Sequence, residues 1–233
     1  MNSLPMSFAG ALVVLPVCAQ VVVIDNFSVG DFLDSGSQNS QIVTQSGLDS
    51  ADVLGGARSR RIQHAGFGYV WDVADNRMSV DLANSTTILS LAWGDLDVSG
   101  SVPNEYVGTA LGIDLEANNN QAFQLVVPRL IGGSVQGEIV VQTSSLGESV
   151  TTPFTLNGPG TYTIPFSSLS GSADLGNING IFLHFPDIVV PAGNTLNLEI
   201  GSFTMVPEPA EWAVAVGVGM LGWGVWRRRF WNR

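Results

Sequence analysis

Cysteine and lysine are almost absent from this sequence of 233 residues, which contains one cysteine, Cys18, and no lysine. If the chain is cleaved after Ala19, as argued below, the mature protein has no cysteine. Disulfides, thiolate nucleophiles and cysteine metal sites are then excluded. A lipoprotein signal carries a small residue just before its cysteine, whereas Pro16 and Val17 precede Cys18, so lipidation is excluded as well.

Positive charge is scarce in the rest of the chain. The sequence carries 9 basic and 20 acidic residues, and between residues 20 and 206 only five arginines stand against 18 acidic residues. Such an acidic protein repels phosphate backbones and anionic headgroups, which excludes nucleic acid as a partner. The acidic residues are dispersed, and this is typical of a solvated surface rather than of a dedicated cation-binding face.

The first 19 residues are apolar and carry no charged side chain. Their apolar run from Met6 to Val17 has the length of a secretory h-region and is too short for a membrane span. Val17 and Ala19 occupy the small-residue positions that a signal peptidase reads. We therefore predict a signal peptide over residues 1–19, although its n-region lacks the usual Lys or Arg. A buried first strand or helix is the alternative.

A second apolar run, residues 210–226, lies near the C-terminus and contains one acidic residue, Glu211, at its outer edge. As a helix it would span about 26 Å, close to the hydrocarbon thickness of a bilayer. Arginines at 227–229 follow at once and would stay on the cytoplasmic side, which leaves residues 20–206 on the far side. Both ends of the chain therefore predict export, with one C-terminal transmembrane helix.

Before this helix, Pro207 and Pro209 hold Glu208 in an extended segment. A Pro-Glu-Pro motif, an apolar helix with small residues and a terminal arginine cluster, in this order, resemble the PEP-CTERM sorting signal of Gram-negative bacteria. The resemblance covers residues 206–233. It implies recognition of Pro207, Glu208 and Pro209 by an exosortase, transient residence in the inner membrane, and delivery to the cell surface or exopolysaccharide matrix. The implied stop-transfer cluster is Arg227, Arg228 and Arg229. An ordinary membrane anchor is the alternative.

Helical periodicity is nearly absent from residues 20–205, where short apolar or alternating runs are separated by Gly, Asn, Ser and Pro. Turn chemistry marks residues 118–119, 157–160 and 191–194, and a short helical turn is expected at 165–169. This pattern predicts an all-β domain, an antiparallel β-sandwich or jelly roll. The predicted strands are residues 21–25, 69–73, 77–82, 86–93, 109–116, 121–127, 137–143, 160–166, 180–185 and 195–204.

The second half of this domain contains "YTIPFSSLSG", "ADLGNINGIFLHF" and "TLNLEIGSFTMV" in succession. This order resembles the closing segment of galactose-binding-like jelly rolls. The resemblance implies that fold, and carbohydrate binding only as an association of the fold, because function depends on the site rather than on the architecture.

Three aromatic residues, Phe67, Tyr69 and Trp71, alternate along a predicted strand, so they should share one face. A row of rings can stack on a sugar, but large aromatic residues also build hydrophobic cores. Tyr106, in a polar loop, is a further aromatic candidate. Tyr69, Trp71 and Tyr106 are therefore candidate glycan contacts, and burial of Tyr69 and Trp71 in the core is the preferred alternative for these two rings.

Metal and catalytic signals are weak in this sequence. Asp95 and Asp97 flank one leucine at a strand end and could hold Ca²⁺ together with backbone carbonyls, or could be simple surface acids. The only histidines, His64 and His184, belong to no metal-binding pattern, and no serine lies in a nucleophile elbow. We therefore expect no catalytic residue and no cofactor other than this candidate Ca²⁺.

Arginines 58 and 60 alternate and should share a strand face, where they could hold an acidic sugar or pair with aspartates.

The combined features predict a non-enzymatic, exported surface or matrix protein that is sorted by an exosortase and binds polysaccharide. A secreted glycan-acting hydrolase with the same sorting tail is the main alternative. A permanently anchored periplasmic protein is another.

Overall fold

A computed structural model describes residues 21–36, 41–94, 110–117, 120–143 and 147–207. Within these ranges no helix is long and apolar enough to cross a membrane. Several predicted features lie outside the described residues: the signal peptide with Ala19, the helix 210–226, Glu208, Pro209, Arg227, Arg228, Arg229, Tyr106, Asp95, Asp97 and the turn 118–119. These features remain predictions.

The described chain consists of β-strands and two short 3₁₀ turns, Leu54–Gly56 and Phe166–Ser168. The second turn confirms the short helical turn expected at 165–169. The strands are β1 (Val22–Asp25), β2 (Phe32–Gly36), β3 (Gln41–Ser46), β4 (Ala57–Ala74), β5 (Arg77–Gly94), β6 (Asn120–Val127), β7 (Arg129–Ile131), β8 (Val135–Gln142), β9 (Glu148–Thr151), β10 (Phe154–Leu156), β11 (Gly160–Pro165), β12 (Leu169–Gly171), β13 (Gly180–Ile200) and β14 (Ser202–Pro207).

These strands form two antiparallel sheets, which confirms the predicted all-β sandwich. One sheet has four strands in the order β1-β14-β6-β11. The other has ten, with the path β12-β9-β8-β13-β5-β4-β2, and with β10, β3 and β7 attached to β8, β4 and β13. The β7–β13 and β6–β14 pairs share one continuous register, from Asn197↔Ile131 to Ser202↔Val126. The four-stranded sheet therefore continues the part of the large sheet that contains the end of β13.

The longest strands fold back over the core. The guanidinium carbon of Arg60 lies 5.5 Å from the centre of the Trp71 ring, and the rings of His64 and Tyr69 are 5.2 Å apart. In a straight strand, residues eleven positions apart would be separated by about 36 Å. β4 is therefore sharply bent between residues 64 and 69, and its two arms face each other across the core.

Glycine permits this bend. A Cβ on Gly66 would lie 2.5 Å from the backbone oxygen of Asn84 on β5, so only glycine allows the two backbones to approach so closely. Asn84 itself has a φ of 44°. β13 follows the bend with register shifts between Phe185 and Ile188 and between Val190 and Thr195. All three long strands thus contribute to both layers of the sandwich.

Three sequence predictions are wrong in detail. Residues 110–117 form no strand; Ile113 makes a single bridge to Ile178, and Leu115 is buried in the core. The expected turn at 191–194 is instead a bulge within β13, with Gly193 at a φ of 83°. The expected strand 195–204 is divided at Gly201, because its two halves pair with different strands. The turn at 157–160 is confirmed between β10 and β11.

Candidate functional site

A groove of about 460 Å³ lies beside the bend and is lined by segments of β4, β5 and β13. Val70 on β4 is opposite Asp81 on β5, and Asp81 is opposite Asn197 on β13, so these three residues form one row across the strands. Phe67 and Tyr69 from the bent part of β4 line the same groove. The site thus combines an apolar surface with one polar pair.

Phe67 is the most prominent apolar side chain in this groove. Its exposed fraction is 79 %, the highest among the large apolar side chains that the structure describes. Its neighbours in the ladder, Gly66 and Gly68, pair with Ser85 and Ala83 on β5. The bend at this point turns the ring towards solvent. A ring exposed to this extent beside a groove is available to stack on a ligand.

Tyr69 and Trp71 have a different environment from Phe67, although the alternation placed all three on one face. Tyr69 borders the groove but is only 4 % exposed, and its hydroxyl donates to Asp34 Oδ2 at 3.2 Å. Burial, and then the charge of Asp34, raise the pKa of Tyr69. Trp71 is 1 % exposed. A ring this enclosed cannot stack on a sugar, so Trp71 is corrected from a glycan contact to a core residue.

The polar pair of the groove joins β5 to β13. Asn197 Nδ2 donates a short hydrogen bond to Asp81 Oδ1, and the Oδ1 atom of Asn197 has no hydrogen-bond partner in the described part of the chain. Amide and carboxylate oxygens accept hydrogen bonds from hydroxyl groups. The unpartnered Asn197 oxygen is itself buried, so the acceptor that this pair offers to a hydroxylated ligand is the exposed Asp81 carboxylate. The pair was missed in the sequence because its members are 116 positions apart.

Among the residues that the structure describes, Asp81 is the one charged residue in the groove lining. Arg77 at the start of β5 and Arg129 on the adjacent β7 both pair with Glu199, through Arg77 Nη1 at 3.6 Å and Arg129 Nη1 at 3.7 Å. The groove is therefore neutral to acidic.

No group of three or more His, Cys, Asp or Glu residues within the described ranges is placed to hold a metal ion. His64 Nδ1 lies 2.9 Å from Thr87 Oγ1, and His184 Nδ1 lies 2.7 Å from Ser90 Oγ. Burial lowers the pKa of both histidines, with a further contribution from Arg61 at His184. Ser90 is 1 % exposed, so the serine–histidine pair does not present its hydroxyl to solvent.

The two arginines predicted to share a face, Arg58 and Arg60, are both buried on β4. Arg58 pairs with Asp25 at 3.0 Å, as the aspartate-pairing alternative predicted, and the pair is buried. Arg60 forms no ion pair within the described residues. Neither arginine reaches the groove.

No protein-family model matches this sequence, and no curated protein matches it. Among solved structures, the chain is similar to the family 11 carbohydrate-binding module of a cellulosomal cellulase of Clostridium thermocellum. The two share 14 % identity with a TM-score of 0.35, over 82 % of this chain and 96 % of the module. An exo-β-agarase shares 10 % identity with a TM-score of 0.39, over 81 % of this chain. Another agarase shares 10 % identity with a TM-score of 0.40, over 74 % of this chain.

This chain spans about a quarter of the length of those two agarases, at 25 % in each case. At these identities and TM-scores the likeness carries no argument about a ligand. The groove itself must therefore supply the evidence for function.

Proposed function

We propose that this protein is a non-catalytic polysaccharide-binding protein that holds a sugar chain in the groove beside the bend of β4. The observation that carries the proposal is Phe67, 79 % exposed at a groove that is also lined by the Asp81–Asn197 pair. A hydrophobic ring next to hydrogen-bond acceptors matches the two surfaces of a sugar, its C–H face and its hydroxyl edge.

Binding would combine two contributions. A pyranose ring stacked on Phe67 removes apolar surface of both partners from water. The sugar hydroxyls donate to the exposed carboxylate of Asp81, which Asn197 Nδ2 holds in place by its hydrogen bond. Because Asp81 is the charged residue of the lining, a polyanionic chain would be repelled and a neutral polysaccharide would be accepted.

The location of the protein is also part of the proposal. We propose export through the signal peptide 1–19 and sorting by an exosortase at Pro207, Glu208 and Pro209. Pro207, the first residue of the motif, belongs to β14. Intact mass of the mature protein, in cells with and without the exosortase, tests this step. Loss of the tail only when the enzyme is present is the expected result, and a full tail in both strains would contradict it.

The groove is tested by substituting Phe67→Ala and measuring affinity for soluble neutral polysaccharides by titration calorimetry, with alginate as the acidic comparison. We expect affinity to fall about tenfold, since aromatic contacts contribute roughly 0.5–1.5 kcal/mol beyond their burial. Leu33→Ala is the matched control, because Leu33 is 70 % exposed but does not line the groove.

Equal affinities for the two variants would contradict the site. Binding of alginate in preference to the neutral chains would contradict the proposed ligand class. Release of reducing ends from a bound polysaccharide, measured in the same samples, would favour the hydrolase alternative.

A further inference from the structure

Arg60 is buried in the sandwich with its guanidinium over the Phe32 ring, a cation–π contact, but it forms no ion pair with a described carboxylate. It is 3 % exposed, and its Nη1 and Nη2 atoms have no hydrogen-bond partner within the described ranges. Nε1 of Trp71 also has no hydrogen-bond partner within those ranges. Trp71 lies on the other arm of β4, and the guanidinium carbon of Arg60 is 5.5 Å from the centre of its indole ring. All three atoms can only donate hydrogen bonds, and none of them meets an acceptor within the described ranges.

The charged groups around Arg60 do not supply that acceptor. Asp34 is close enough to raise the pKa of Arg60, but its carboxylate accepts the Tyr69 hydroxyl and forms no ion pair with Arg60. Arg58 is paired with Asp25. Burial is the main influence and lowers the pKa of Arg60 to about 9, so the side chain stays charged at neutral pH.

His64 also lies in this region but does not act as a donor towards Arg60. Thr87 Oγ1 donates to Ser85 Oγ at 3.4 Å and therefore accepts from Nδ1–H of His64 at 2.9 Å. In the neutral imidazole this leaves a lone pair on Nε2. The donor set consequently consists of Arg60 and Trp71.

We propose that Arg60 and Trp71 bind a small monovalent anion of the chloride class between the two arms of β4. A buried cation without a counter-charge is costly, and a buried indole N–H also requires an acceptor. One small anion satisfies both requirements. The enclosure of both side chains excludes a bulky anion. This site is separate from the groove, so its failure would leave the polysaccharide proposal untouched.

The first test measures the thermal unfolding midpoint of the full chain against sodium chloride, with sodium gluconate at equal concentration as the bulky-anion comparison. A ligand that binds only the folded state raises the midpoint along a one-site curve. We expect this saturable rise with chloride and not with gluconate, and we expect Arg60→Met to abolish it. Arg129→Met, which removes an arginine that is 52 % exposed, should retain the rise. Identical chloride and gluconate curves would overturn the proposal.

Arg60→Met could fail to fold, so a second test uses the unaltered chain. Crystals grown in sodium bromide should show an anomalous peak within hydrogen-bond distance of the Arg60 Nη atoms and Trp71 Nε1. An ordered water in that position without a bromide peak would overturn the proposal. A structure in which the Asp34 carboxylate has moved onto Arg60 would overturn it as well.

Discussion

Two arginines on β4, only two positions apart, are equally buried but differ in their hydrogen bonds and ion pairs. Arg58 is 2 % and Arg60 3 % exposed. Each nitrogen of Arg58 donates at least one hydrogen bond, whereas Nη1 and Nη2 of Arg60 find no partner within the described residues. The partners of Arg58 are Gln45 Oε1, both carboxylate oxygens of Asp25, and the carbonyls of Val29 and Gly30.

The comparison shows that burial alone does not reveal the role of a charged side chain. Asp25 also accepts hydrogen bonds from Trp93 Nε1 at 3.0 Å and from the backbone of Phe27 at 2.8 Å. Burial raises the pKa of Asp25, and the charge of Arg58 acts in the opposite direction. This network, the Asp25–Arg58 node, connects β1 of the small sheet to β4 and β5 of the large one. Arg58 is a structural cross-link, whereas Arg60 is a candidate ligand-binding residue.

Removing the charge of Asp25 should disrupt the Asp25–Arg58 ion pair and cause the largest loss of stability among the substitutions considered. Asp25→Asn keeps the shape of the side chain but leaves Arg58 charged and buried, so we expect the free energy of unfolding to fall by about 3–5 kcal/mol. Urea denaturation measures it.

The control for this substitution is Asp75→Asn, whose carboxylate is 86 % exposed and lies 3.9 Å from Arg77. Exposed pairs contribute roughly 0–1 kcal/mol. Similar stabilities for the two variants would show that the Asp25–Arg58 node is not a structural cross-link.

The enclosure of Arg60 depends on the bend of β4, and Gly66→Ala tests that dependence. The added Cβ would meet the backbone of Asn84, which cannot give way as a flexible side chain would. We expect a loss of roughly 1–3 kcal/mol in the free energy of unfolding. Gly158→Ala is the control, because no atom lies within 4 Å of its Cβ position. If Gly66→Ala lowers the free energy of unfolding by no more than Gly158→Ala does, the backbones of β4 and β5 do not approach as closely at Gly66 as the structure shows.

The smallest expected effect is a pH dependence in the Arg60 region. The ordinary pKa of histidine is near 6.5, and burial lowers the pKa of His64 in the folded protein. The unfolded state therefore binds the proton first, so the contribution of this group to stability is present above pH 6.5 and is lost as the pH falls towards the folded pKa.

We expect His64→Gln to lose less stability than the unaltered protein when the pH is lowered from 7.5 to 5.5, as measured by urea denaturation at both values. His184→Gln offers a parallel comparison, since burial and Arg61 lower the pKa of His184 as well. An unchanged pH dependence in His64→Gln would show that this imidazole does not titrate with folding.

Much of the local structure could be predicted from the sequence. The runs 121–127, 137–143 and 160–166 correspond to β6, β8 and β11, because alternation of apolar and polar side chains follows directly from the two-residue period of a strand. The first arm of β4, by contrast, was not among the predicted strands, although Arg58 and Arg60 were expected to share a strand face. Its two glycines and three arginines interrupt the alternation, although the chain there pairs continuously with β5.

By itself, the sequence determined that the chain forms antiparallel strands and that few residues are suited to catalysis or metal binding. Only the tertiary structure decided that Phe67 reaches solvent while Trp71 enters the core, that Asp81 meets Asn197, and that Arg58 is paired while Arg60 is not. The physical reason is that alternation depends on neighbours in the chain. Pairing across strands depends on register and on the bend, which bring together residues up to 116 positions apart.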